Sequence, residues 1–186
     1  METSNKRQTK PAKPKKCKVC KEPFTPLRPL ARVCSPDCAL KMLRQADEKI
    51  ERADLKARKE AVKTRREWMA EAQSAVNAYV RERDKDLPCI SCGRHHEGQY
   101  HAGHYLSRGA HPELALDPLN IYKQCQPCNT HLSGNQINFR KGLIERIGLA
   151  EVEWLEGPHE PSKPNIEKLK AIKENYRLML KELKHD

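Results

Sequence analysis

Three stretches of the chain carry a helical hydrophobic period, and they differ in kind. Residues 39–84 contain neither Gly nor Pro. Within them Leu43, Ala46, Ile50, Ala53 and Ala57 recur at intervals of three and four, a thin heptad-like stripe. Its setting is almost wholly charged. Lys41 to Arg66 holds ten basic and five acidic residues, the pattern of a solvated helix that buries little. A break is expected near Lys63–Arg66. Beyond it Trp68, Ala72, Ala75, Val76, Tyr79 and Val80 form a fuller apolar face, which predicts packing on the domain that follows. Residues 165–184 are amphipathic again, with Ile166, Leu169, Ile172, Tyr176, Leu180 and Leu183 on one side and Asn165 in an N-cap position.

Elsewhere the pattern is that of turns and short strands. Between residues 17 and 38 sizeable apolar residues are few, Phe24, Leu27, Leu30 and Val33 among them, and Pro23, Pro26 and Pro29 argue against a helix. Ser35-Pro36-Asp37 predicts a helix start, with Ser35 as cap and Cys38 on the first turn. Tyr100 to Tyr105 reads as a hairpin strand ending at His104, with a bend at Gly103. Residues 151–164 read as a Pro- and Gly-containing connection. Residues 1–16 carry Lys6, Arg7, Lys10, Lys13, Lys15 and Lys16 against one acid, Glu2, and predict a disordered basic arm.

Composition changes this picture in two ways. Only 37% of the 186 residues are hydrophobic and 5% aromatic, thin for one well-filled core. The eight cysteines supply what is missing. They form four close pairs, Cys17/Cys20, Cys34/Cys38, Cys89/Cys92 and Cys125/Cys128. Such pairing suits two tetrahedral four-thiolate Zn²⁺ sites, whose binding energy is folding energy. The second change is charge. A formal charge of +11 points to a polyanion, most often nucleic acid. No apolar run approaches the ~20 residues of a membrane span, and the start does not read as a secretory signal. No membrane partner is expected.

The chemistry is concentrated between Cys89 and Asn135. Here Cys89-Ile-Ser-Cys92 precedes the strand ending in His104. Asn120 stands five residues before Cys125, and Asn129 directly follows Cys128. The order suggests a β-hairpin held by cysteine turns against a helix starting near Asn129. A neutral imidazole suits a general base and an amide carbonyl suits a hard divalent cation. Singly, each residue has a plain structural role open to it: a cap or turn for the two asparagines, a satisfied core histidine for His104.

The ordered set resembles the HNH (ββα-metal) nuclease superfamily, in a variant with Asn as the third letter, as in phage recombination endonuclease VII. "RERDKDLPCISCG", "AGHY", "NIYKQCQPCN" and "SGN", behind "CKVC…CSPDC", resemble the phage NinG (Rap) recombination family over nearly the whole chain. The resemblance implies an α+β fold, in which a small zinc-stabilised HNH-type domain joins an N-terminal four-cysteine zinc module and a long charged helix. It also implies a structure-selective endonuclease acting on branched recombination intermediates such as Holliday junctions and D-loops, in the cytoplasm of the bacterial host. His104 would be the base, Asn120 would position it, and Asn129 would bind catalytic Mg²⁺ or Mn²⁺.

Many HNH sites place an Asp ligand directly before the base. Gly103 stands there instead, so His101 is the expected replacement, ahead of Asp117 and His131. Arg108 reads as a phosphate contact or, equally, as a salt-bridged surface residue. The expected layout is a basic arm (1–16), a four-cysteine zinc module (17–38), charged helices (39–84), a nuclease domain (85–150), and a linker with a final helix (151–186). Two-fold junctions suit a symmetric homodimer, for which residues 43–57 offer a seam. A zinc-dependent DNA-binding protein or regulator without cleavage, or a zinc-stabilised scaffold for protein partners or RNA, are the other readings.

Overall fold

The structure, a computed structural model, describes residues 13–28 and 30–185. The chain divides into two compact units, Met1–Val62 and Lys63–Asp186. It is a mixed α+β protein, with two small sheets among the described residues. Among the described residues no helix is long and apolar enough to cross a membrane.

In the first unit, β1 (Lys15–Lys16) pairs antiparallel with β2 (Pro23–Phe24). The turn between them is closed by Cys17 N donating to the Glu22 carbonyl at 2.8 Å and by Lys21 in the left-handed region at φ 67°. Helix α1 (Pro36–Ala61) starts where Ser35 accepts from Cys38 N at 3.2 Å. Cys38 is its only buried residue. Its apolar stripe stays in solvent, with Leu43 58% and Ile50 66% exposed. The four sulfurs of Cys17, Cys20, Cys34 and Cys38 lie within 4.8 Å of one another.

The second unit opens with a capping box. Thr64 accepts from Glu67 N and the Glu67 carboxylate returns to Thr64 N, starting α2 (Arg65–Arg83). The antiparallel hairpin β3 (Tyr100–His104) and β4 (Ile121–Cys125) pairs His101 with Gln124, Gly103 with Tyr122, and His104 with Ile121. Val76 and Val80 of α2 cover one face, packing on Ile121 and Ala102. The other face is covered by α3 (Gln136–Ile147) and α4 (Leu149–Glu156), where Tyr105, Tyr122, Phe139, Leu143, Val152 and Leu155 form a buried cluster with Ile90. Helix α5 (Ile166–Leu183), capped by Asn165, packs Leu169 against Trp68 and Ala72. Glu71 lies between Lys173 and Lys63, 2.7 and 2.6 Å away, and those two cations hold its pKa down at about 2.

Four expectations change. The basic arm does not extend to residue 16, because Lys15 and Lys16 form β1; Lys6, Arg7 and Lys10 lie outside the described residues. The break expected near Lys63–Arg66 is present, between Ala61 and Arg65, but it also separates the units, with α1 in the first and α2 in the second. The compact second unit is therefore larger than residues 85–150. The start of the 151–186 linker is helical, because Val152 and Leu155 are fully buried in the cluster on α3. Finally, β3 does not bend at Gly103, which is a paired strand residue. A Cβ there would fall 2.2 Å from Gln124 Oε1, so glycine makes room for a neighbour.

Candidate functional site

The second cysteine cluster anchors the site. A tight turn presents Cys89 and Cys92: Gly93 N donates to the Cys89 carbonyl at 2.9 Å, with Gly93 at φ 66°. Cys125 ends β4, and Cys128 lies in the short turn Pro127–His131. All four sulfurs lie within 4.8 Å, Cys92 and Cys125 being 3.9 Å apart. Tetrahedral Zn²⁺ with Zn–S bonds of ~2.3 Å would space its ligands by about 3.8 Å, so the donors fit the ion. In the first cluster the corresponding separations are 3.6 and 3.7 Å. Burial works to raise the Cys89 thiol, but backbone N–H groups of Cys125, Cys92 and Ser91 outweigh it and hold the pKa below its ordinary value; burial pushes Cys92 up. His96 also reaches this cluster, its Nε2 lying 3.1 Å from Cys92 Sγ.

His104 ends β3 on the face toward α2. Its Nε2 is 3.1 Å from the Ala115 carbonyl and 3.3 Å from the Gln73 side-chain amide. A carbonyl only accepts, so Nε2 carries the proton and Nδ1 is left as the acceptor. Burial lowers the His104 pKa. The Ala115 carbonyl opposes this, and the Arg108 charge adds to it. These surroundings therefore favour the neutral imidazole. Asn120 is fully buried, and its side-chain hydrogen bonds go to the backbone rather than to His104. Its Oδ1 accepts from Leu106 N at 2.7 Å, and its Nδ2 donates to the carbonyls of Leu106 and Leu114 at 2.9 and 3.1 Å. One amide thus pins the loop between β3 and β4, and that loop presents the Ala115 carbonyl to His104.

Asn129 sits in the five-residue turn Pro127–His131, and the next helix, α3, begins only at Gln136, after Asn135 at φ 46°. This corrects the expected single helix from Asn129. Asn129 borders two open clefts. One, of about 370 Å³, contains His104, Ser107, Arg108 and Gln136. The other, of about 480 Å³, contains His101, Tyr100, Asn77 and Arg81. His101 and His104, three residues apart on a straight strand, point to opposite faces, so no bend brings them together. Instead His101 Nδ1 lies 2.9 Å from the Asn129 amide. With that amide turned end for end, the pair would offer a nitrogen and an oxygen at a spacing close to the ~3.0 Å between adjacent ligands of an octahedral ion with bonds of about 2.1 Å. Such a pair could hold a divalent cation, with the Arg81 charge in the same cleft opposing it. The pair contains no carboxylate, and imidazole favours Mn²⁺ over Mg²⁺. Asp117, which accepts from Leu119 N at 2.9 Å, and exposed His131 do not join the pair.

Of the other basic candidates, Arg108 is exposed and faces the His104 cleft, while Lys13 and Lys16 are exposed in the first unit. Sequence reasoning missed Gln73, Asn77 and Arg81. All three lie on α2, and only the fold brings that helix against β3.

The chain matches the family model described as Bacteriophage Lambda NinG protein over residues 9–186. It is 45% identical over 169 residues to Protein ninG of Salmonella phage P22, covering 81% of this chain and 83% of that one. It is 44% identical over 170 residues to Protein ninG of Escherichia phage lambda, covering 82% and 83%. With Protein ninG of Escherichia phage 933W it shares 48% over 131 residues, covering 70% and 65%. No solved structure matches the chain. Nearly its whole length is thus accounted for by one group of phage proteins, and the chain belongs to the NinG family.

Proposed function

We propose that the chain is a metal-dependent, HNH-type endodeoxyribonuclease that hydrolyses phosphodiesters in branched DNA during phage recombination in the host cytoplasm. The supporting observation is that a neutral imidazole with a free Nδ1, His104, shares one open cleft with Asn129 and the exposed guanidinium of Arg108. In this reading His104 Nδ1 takes the proton of the attacking water. Arg108 lies where charge builds on the phosphate. Asn120 acts at a distance, fixing the loop whose Ala115 carbonyl holds the imidazole's orientation and tautomer. His101 and Asn129 would hold Mg²⁺ or Mn²⁺, which when bound supplies a Lewis acid for the phosphoryl oxygen. The preference for branched substrates rests on the sequence resemblance, and the positive charge supplies general affinity for DNA.

The test is cleavage of a synthetic four-way junction with Mg²⁺ or Mn²⁺, against a duplex of the same sequence. Wild type should cut the junction preferentially. His104→Ala should bind it equally well and cut about 10²-fold more slowly or worse. Salt-dependent binding without cleavage by wild type would favour the alternative, a zinc-dependent DNA-binding protein.

A further inference from the structure

Among the described residues, three buried side-chain polar atoms have no hydrogen-bond partner: Gln73 Oε1, Arg146 Nη1 and Gln124 Oε1. The first two have ready explanations. Turning the Gln73 amide together with that of its partner Asn77 would present the Gln73 oxygen to the His104 Nε2 proton and keep the Gln73–Asn77 bond, and Arg146 Nη1 lies 3.8 Å from the Asp84 carboxylate. Gln124 cannot be turned. Its Nε2 is 2.6 Å from the Gly134 carbonyl, which only accepts, and 2.7 Å from Ser91 Oγ. The amide nitrogen is thereby fixed, and Oε1 must point the other way, into the space above Gly103. Gln124 is 0% exposed, and a buried amide oxygen without a protein donor calls for another partner.

The surroundings indicate which partner. Gln124 is the cross-strand neighbour of His101, so both side chains rise from the same face of the hairpin. Gly103, two residues from His101, belongs to that face as well. The Asn129 amide, from the turn after β4, lies 2.9 Å from His101 Nδ1. One face of a two-stranded sheet therefore gathers an imidazole nitrogen, a surface amide and a buried amide oxygen that nothing else uses. Amide oxygens are ordinary ligands of hard divalent cations.

We propose that Gln124 Oε1 is a third protein ligand, with His101 and Asn129, for the divalent cation of this site; this rests on the metal-dependent reading above. Gly103 then has a specific duty: a side chain there would displace the ligand oxygen. Ser91 and Gly134 have another, since by holding Nε2 they aim Oε1. The buried ligand keeps its place whether or not the ion is present, while Asn129 turns its amide to complete the set.

The experiment uses crystals of the full chain with both cysteine sites loaded with Zn²⁺, soaked in millimolar Mn²⁺ alone and measured at the manganese edge. The expected result is an anomalous peak within roughly 2.1–2.4 Å of Gln124 Oε1 that also contacts His101 and Asn129. A peak held by His101 and Asn129 with a water on Gln124 overturns the assignment and leaves the metal-dependent reading intact. No peak at this site overturns both. In solution, free Mn²⁺ measured by electron paramagnetic resonance should show Gln124→Met binding about tenfold or more weakly than wild type. Zinc content and circular dichroism identify a misfolded variant, and the wild-type crystal decides the matter in that case. Unchanged Mn²⁺ affinity in a folded Gln124→Met protein also overturns the assignment.

Discussion

Gly142→Ala is a substitution for which local and tertiary physics predict opposite signs. Gly142 lies inside α3, where intrinsic helix propensity alone favours alanine by about 1 kcal/mol. A Cβ at this position, however, would fall 2.0 Å from the Ile90 carbonyl oxygen and 3.1 Å from its carbon. Ordinary carbon–oxygen contacts begin near ~3.3 Å, so the helix and the Cys89–Cys92 turn would have to separate by about 1 Å. The turn cannot retreat easily, since Ile90 N is bonded to the Lys123 carbonyl at 3.1 Å and cysteine ligands flank it. The helix must move instead, and it carries Phe139 and Leu143, both fully buried. Overpacking of this kind costs about 1–3 kcal/mol, and more where backbone is involved, which outweighs the propensity gain. We expect a net loss of about 1–2 kcal/mol, lowering the urea midpoint by roughly 0.5–1 M for an m-value near ~2 kcal/mol/M. Tryptophan fluorescence is the assay. The chain has two tryptophans, Trp68 and Trp154, both in the second unit, so the signal reports on that unit alone. A midpoint equal to or above wild type would refute the close approach of α3 to the cysteine turn.

Three further predictions concern charge, the loop and zinc. Because the His104 pKa lies below 6.5, its proton-free form persists on the acid side of that value, and the acid limb of cleavage should fall below pH 6.5. Arg108→Ala removes one of the lowering causes and should move that limb to higher pH; a limb that stays put or moves down would show that another group sets it. Asn120→Ala deletes three hydrogen bonds from a fully buried amide and should cost about 2–3 kcal/mol, measured by urea unfolding, and should also slow cleavage. Elemental analysis should find two Zn²⁺ per chain. Cys125→Ser should abolish the folded tryptophan signal, whereas Cys17→Ser, in the other unit, should leave it unchanged.

Features whose cause is local were legible in the sequence. Ser35 and Asn165 cap helices because their side chains reach the backbone three residues on, a relation visible in any linear string. The cysteine pairs are equally local, since each tight turn presents two sulfurs. The nearness of His101 to Asn129 was accessible through the order of motifs. Features whose cause is tertiary were not legible. Gly103 looked like a bend because a glycine in a strand commonly marks one, and only the position of Gln124 explains it. Helix α4 was hidden by its eight-residue length and the prolines after it; Val152 and Leu155 gain their significance from Phe139 and Leu143 on α3. Gln73 shows no local signal, because its partner His104 lies 31 residues away.

The full burial of β4 has a consequence for how this protein can vary. An ordinary surface strand alternates, so every second codon is free to drift. From Ile121 to Cys125 all five consecutive positions are buried, Lys123 and Gln124 included, because α2 closes one face and the cysteine turn with α3 closes the other. A library of all single substitutions should therefore show an unbroken block of intolerance along β4, without the two-residue rhythm of a strand. Its neighbour β3, with only Gly103 buried, should tolerate change everywhere except at the residues that chemistry or close packing requires. Mutational robustness in the hairpin is thus unevenly shared: one strand is held constant by its neighbours, and the other is where lineages can adjust the cleft without unmaking the fold.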